Sequence, residues 1–164
     1  MEKIDFEIGS WVVYPLHGVG KLDNIDVLEI DGQSTEFFII SFPKNKLILK
    51  IPINRAIGAG LRKVTTKKTM KEALDILVQK AKKKRMMWSK RALEYETKIN
   101  SGDPILIAEV IRDLYKGEGD TVQSFSERQI YQDAMERLAR EFSIIEKIGE
   151  EEAVKKLEIL LKAA

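Results

Sequence analysis

The 164-residue chain contains no cysteine and one histidine. Without thiols there can be no disulfide, no cysteine nucleophile and no zinc–thiolate site. The lone His17 has no carboxylate pair at ligand spacing around it, so it reads as a turn residue held by a structural hydrogen bond. A G-x-x-x-x-G-K-[ST] phosphate loop, a His pair and a serine elbow are also missing. The residues therefore assign no catalytic centre, no metal, no cofactor and no small-molecule substrate. No apolar run approaches the eighteen or more residues that a membrane helix needs. The opening MEKIDFEIGS carries acids and no apolar stretch of the secretory type. The expectation is a cytoplasmic, monomeric, non-enzymatic globular protein, with 44% hydrophobic and 33% charged residues.

What the chain does have is a concentrated positive charge. Formal net charge is only +2, but residues 64–100 hold 11 basic and 4 acidic side chains, while 101–164 hold 9 and 14. The centre of this asymmetry is Lys80 to Arg91, KAKKKRMMWSKR, where seven of twelve residues are Lys or Arg and Trp88 stands near the end. Cations attract phosphates without regard to sequence, and a large apolar side chain among them can wedge at a base step in the minor groove. The same pattern also suits a solvated helix end followed by a Trp buried between helices. Taken alone, the residues leave both possibilities open.

From Gly9 to Leu61 the sequence predicts short strands separated by turns. Trp11–Tyr14 is stopped by Pro15, and Val19–Ile30 follows, bent near Gly20. Asp31-Gly32 is a tight hairpin signal, Thr35–Phe42 a third strand, and Lys46–Pro52 a fourth after a turn at Pro43-Lys44-Asn45. Trp11 is assigned to packing. Four or five strands in about fifty residues predict a small SH3-like or Tudor-like barrel.

Helical periodicity begins near Thr69, where Thr69-Met70-Lys71-Glu72 matches a capping box. Ala73, Leu74, Leu77 and Ala81 form a stripe, and the basic run is expected at this helix's C-terminal end. Trp88-Ser89 opens a second helix that ends at Ser101-Gly102. Asp103-Pro104 starts a third, burying Ile107, Ala108, Ile111, Leu114 and Tyr115. Gly117–Asp120 is a loop, Ser124–Glu127 another capping box, and Glu150–Ala163 a last amphipathic helix. The fold class is thus α+β in two domains: a β domain over 1–64 and a compact bundle of about five helices over 69–164.

Two segments resemble a known family. Phe6-Glu7-Ile8-Gly9-Ser10-Trp11-Val12-Val13-Tyr14-Pro15-Leu16-His17-Gly18-Val19-Gly20, with its Gly, VVYP, spacer and HG, is similar to the start of CarD-like bacterial transcription regulators. It is also similar to the RNA polymerase-interacting module of transcription-repair coupling factors. Trp88-Ser89-Lys90-Arg91, Ser101-Gly102-Asp103 and Ile107–Leu114 resemble the helical half of the same family, and Gly60-Leu61-Arg62 fits the end of the β part.

The resemblance implies a non-enzymatic regulator. Its Tudor-like domain would dock on the RNA polymerase β subunit through Leu47, Ile48, Leu49, Lys50 and Ile51, with Lys50 at a family Arg position. Its helical domain would contact promoter DNA, with low sequence specificity, at the upstream edge of the transcription bubble. Trp88 would be the minor-groove wedge, with Lys90, Arg91 and Arg128 on phosphates; Lys84 and Arg85 are further candidates from the basic run. Leu28 and Leu93 depart from the pattern, standing where relatives place basic residues. A Tudor-like adaptor acting away from polymerase is the alternative.

Overall fold

The computed structural model describes residues 6–82, 86–115 and 124–164, so Lys84, Arg85 and the Gly117–Asp120 loop lie outside the described residues. The chain divides into two compact units, 1–64 and 65–164.

The first unit is an antiparallel sheet of β1 (Trp11–Tyr14), β2 (Gly18–Ile30), β3 (Gln33–Phe42), β4 (Leu47–Pro52) and β5 (Arg62–Lys63), in the order β4-β3-β2-β1-β5. A short helix α1 (Ile53–Gly58), absent from the sequence expectation, joins β4 to β5. The sheet is open, with β4 and β5 as its edges, and keeps the barrel-like character expected of a Tudor-type domain. Asp31 and Gly32 take the positive φ values (53° and 78°) that a two-residue hairpin requires. The register between β2 and β3 shifts between Leu22 and Asn24. Alternation places Phe38, Ile40 and Phe42 on one face of β3, where they are buried with Phe6, Val12, Leu22 and Ile51. Trp11 is half-buried, with Lys21 Nζ 5.9 Å from its ring centre. His17 is a turn residue as expected, its backbone N–H donating to the Tyr14 carbonyl at 2.9 Å, and its ring stacks on Tyr14 (5.8 Å) and tilts against Phe42 (5.3 Å).

The second unit contains α2 (Lys67–Leu77), α3 (Trp88–Asn100), α4 (Pro104–Leu114), α5 (Phe125–Glu146) and α6 (Glu150–Lys162). Three of the expected boundaries move. The cap of α2 is Thr66, whose hydroxyl accepts from the Thr69 amide at 3.2 Å, so the helix begins before the predicted box. It also ends at Leu77. Gln79 to Lys82 are therefore off the helix, and Ala81 is exposed instead of completing the stripe. Ser124 caps α5 as expected, its hydroxyl accepting from the Glu127 amide at 3.2 Å, while the helix runs from Phe125 where the sequence suggests a start at about Glu127. Asp103 caps α4 through its bond to the Ile105 amide (2.9 Å), with Pro104 in the first turn. Helix α4 is the centre of the unit: Ile107, Ala108, Val110, Ile111 and Leu114 are buried among residues of α2, α3, α5 and α6. Burial and the nearby Glu158 carboxylate push the Tyr131 phenol well above its ordinary range, so it stays neutral beside this core.

Gly20 is the position where the β unit tolerates no side chain. A Cβ there would stand 2.7 Å from Phe42 Cε1 and 2.8 Å from Ile40 Cγ2, and both rings and branches are fully buried. We expect Gly20→Ala to destabilise the protein by about 1–3 kcal/mol through overpacking. Gly58→Ala, with no neighbouring atom within 4 Å, should stay within about 0.5 kcal/mol of wild type. Chemical denaturation of both variants checks this; equal midpoints would mean that β2 and Phe42 separate freely.

Candidate nucleic-acid interface and docking edge

Helix α3 begins at Trp88 with Met87 as its cap. The Met87 carbonyl accepts from the amides of Lys90 and Arg91, both at 3.1 Å. No acid occupies the first turn; instead Lys90 and Arg91 stand at the helix end whose dipole already favours anions. This placement costs helix stability and concentrates positive potential, which is the opposite of what a merely solvated helix end would select.

Three side chains of α3 share one face at i, i+3 and i+7. The Arg91 guanidinium lies 5.6 Å from the Trp88 ring centre and 5.9 Å from that of Tyr95, and its Nη2 donates to Tyr95 Oη at 3.3 Å. The two rings are 6.3 Å apart and tilted by 51°. Tyr95 is buried, so the stack is anchored from below, and Trp88 is half-buried, packed on the edge of the helical core. Arg91 therefore has a structural role, and its Nε is buried without a hydrogen-bond partner. Next to the stack, Met87 is 71% exposed and Lys90 is exposed.

Of the other predicted DNA residues, Arg128 is not gathered at this point, and Lys84 and Arg85 lie outside the described residues. Arg128 is exposed in the first turn of α5. A groove lined by Glu96, Ile99, Asn100, Gln129, Ile130 and Asp133 shows that this part of α5 runs beside the C-terminal half of α3. Arg128 is thus toward the far end of a helix about 18 Å long from Trp88. Lys80 and Lys82 are exposed beyond the end of α2.

In the β unit, β4 pairs with β3 alone and forms an edge of the sheet. The strand alternates: Leu47 and Leu49 pack on the core and Ile51 is buried, while Ile48 is 68% exposed and Lys50 is exposed. Lys50 Nζ is 3.7 Å from Asp26 Oδ2 and 5.4 Å from the Phe37 ring centre. Of the five predicted docking residues, only Ile48 and Lys50 present side chains outward. Leu28, 40% exposed, belongs to the same outward face, because its β3 partner Thr35 lies two residues from Phe37.

Sequence reasoning missed Tyr95 and Met87. The i, i+3, i+7 spacing of Trp88, Arg91 and Tyr95 could have found the stack. It also missed the buried Arg112–Asp113 pair, for which no local pattern exists. Among the described residues, no group of three acids or histidines is placed to hold a metal, and no helix is long and apolar enough to cross a membrane.

Comparison with known proteins assigns both units. Residues 6–65 match the CarD-like/TRCF RID domain, and residues 72–158 match the CarD C-terminal domain. Over 147 residues, 90% of this chain and 96% of the relative, the chain is 26% identical to "Putative transcription factor YdeB" of Bacillus subtilis (strain 168). With its β unit and its helical unit each matched in order, the chain belongs to the CarD-like family of transcription regulators.

Proposed function

We propose that this transcription regulator docks on the RNA polymerase β subunit through β4 and stabilises the open promoter complex by wedging Trp88 at the upstream edge of the bubble. The observation that carries the proposal is the α3 terminus, where an indole held by Arg91 and Tyr95 stands among cations that oppose their own helix dipole. Unstacking a base step costs a few kcal/mol, so a flat ring placed at an already melted junction favours the open state. Lys90 and the half-exposed Arg91 take adjacent phosphates, and Arg128 takes a separate one. Lys84 and Arg85 add phosphate contacts from the basic run. A wedge discriminates by step deformability and not by base edges, so sequence specificity is low.

The docking half rests on an exposed sheet edge. An edge strand offers backbone groups for strand addition by a partner, and outward side chains set the selectivity. Ile48 supplies an apolar contact and Lys50 a charge, so the matching surface is an edge strand with an acidic neighbour. The protein acts as a monomer in the cytoplasm, with polymerase and promoter DNA as its partners.

Lys50→Glu should abolish capture of the polymerase β subunit, because like charges juxtaposed at an interface cost several kcal/mol. Its own stability should change by less than about 1 kcal/mol, since the Asp26 pair is exposed. Equal capture by wild type and variant would reject β4 as the docking strand.

Trp88→Ala tests the wedge. A fully buried Trp would cost about 3–5 kcal/mol on truncation; the half-buried indole should cost about half of that. Polymerase capture should persist while the competitor-challenged lifetime of the open complex shortens. An unchanged lifetime with a folded variant would remove the wedge.

A further inference from the structure

The end of α2 holds an arrangement that the proposed function does not use. Arg112 and Asp113 on α4 form a buried ion pair, Arg112 Nε to Asp113 Oδ1 at 2.8 Å, with side chains 4% and 5% exposed. Buried charges of this kind are costly unless every remaining group is also bonded. The pair is also bonded to the segment that leaves α2: Arg112 Nη1 donates to Gln79 Oε1 at 3.1 Å, and the Lys82 backbone N–H donates to the same Asp113 Oδ1 at 2.9 Å. The chain is thereby held on both sides of Lys80, at 79 and at 82. The side chains of Lys80 and Lys82 are left exposed.

We infer that Lys80 and Lys82 form a second phosphate-contacting element for duplex DNA, held in position by a clasp of Gln79, Arg112 and Asp113. The inference rests on the DNA-contacting role proposed above and extends it to a new element and to its positioning residues. A non-helical segment would ordinarily lose backbone freedom on binding; here that freedom is already lost in the folded protein, so each cation meets DNA at lower entropic cost. Reach is adequate. Lys82 and Trp88 are six residues apart, at most about 22 Å, which is less than one turn of duplex. Both can therefore engage the same stretch of DNA.

The sign of the effect at Asp113 separates positioning from simple charge. If the carboxylate were only a nearby acid, removing it would strengthen DNA binding. If it positions the lysines, losing its acceptor oxygen weakens binding although the net charge rises. Asp113→Asn, which keeps an oxygen for the Lys82 amide, should retain wild-type affinity or exceed it.

The experiment is fluorescence-anisotropy titration of the full-length chain on a plain duplex oligonucleotide over a salt series. Lys80→Gln and Lys82→Gln should each lower the slope of log K against log salt by about one. Gln79→Ala, an exposed substitution that leaves the ion pair intact, should weaken binding several-fold with little change in melting temperature. Asp113→Ala should weaken it further, provided circular dichroism shows a folded protein; if it does not fold, Gln79→Ala and the two lysine variants decide. Unchanged salt slopes for both lysine variants, with wild type bound, would overturn the inference and leave the Trp88 proposal standing. Tighter binding by Asp113→Ala would overturn the clasp. Absence of any binding by wild type, on duplex and on polymerase–promoter complexes alike, would instead bring down the DNA-contacting role itself.

Discussion

Burial of α4 is the constraint on which the helical unit depends. Its apolar residues Ile107, Ala108, Val110, Ile111 and Leu114 form one buried core with residues of α2, α3, α5 and α6, so a shift of these neighbours would loosen that core. A helix buried this fully leaves its polar residues few options. Arg112 and Asp113 must satisfy one another and then find partners for their remaining groups. Among the described residues, their further bonds come from the segment after α2. The position of Lys80 and Lys82 is thus a consequence of how a core helix disposes of two charges.

The α3 terminus follows a related rule with a different result. Trp88 and Tyr95 both touch the core, yet only Tyr95 is buried. The indole lies at the rim, and Arg91 sits across both rings in a position where its guanidinium gains from their π faces. A flat side chain fixed at the rim by a stacked cation keeps its ring orientation before any partner arrives. A freely rotating surface Trp would have to lose rotamer entropy on contact. The stack therefore joins packing and the proposed recognition in the same three residues.

Elements with strong local signals were legible in the sequence. Asp31-Gly32, Asp103-Pro104 and Ser124 each carry turn or cap chemistry that acts over three or four residues, and each lies where that chemistry puts it. The strand and helix patterns gave the two-part α+β architecture for the same reason. The end of α2 was misplaced because Ala81 continues the apolar period although the chain has already left the helix at Leu77. Beyond that end the Lys82 amide is bonded to Asp113, thirty-one residues away, and no window of sequence contains that contact. Helix α1 is six residues long and too short to show a period. At the candidate site, residue types pointed to Trp88, Lys90, Arg91 and the β4 strand. Which β4 side chains face outward follows from period-two alternation alone once the register is known. The separation of Arg128 from Trp88 depends on how α3 and α5 run past one another, which only tertiary structure supplies.

Under the proposed function, two linked units would also allow the DNA-contacting surface to be small. A handful of cations gives non-specific affinities of about 10⁻⁴–10⁻⁶ M at physiological salt, too weak for a solitary binder to find a promoter edge. The β unit is joined directly to the helical unit at Val64–Thr65. In the proposed reading, docking of one unit on polymerase would therefore hold the other near upstream DNA at an effective concentration of about the millimolar range. Under that regime a high-affinity DNA surface would be harmful, since it would bind promoters and bulk DNA alike. A rim-mounted indole, two terminal cations and two clasped lysines would, in that reading, provide enough contact when tethered and little when free. The near-zero overall charge acts in the same direction: the local field around Lys80 to Arg91 can hold nearby DNA, while the protein as a whole gains little from distant phosphates.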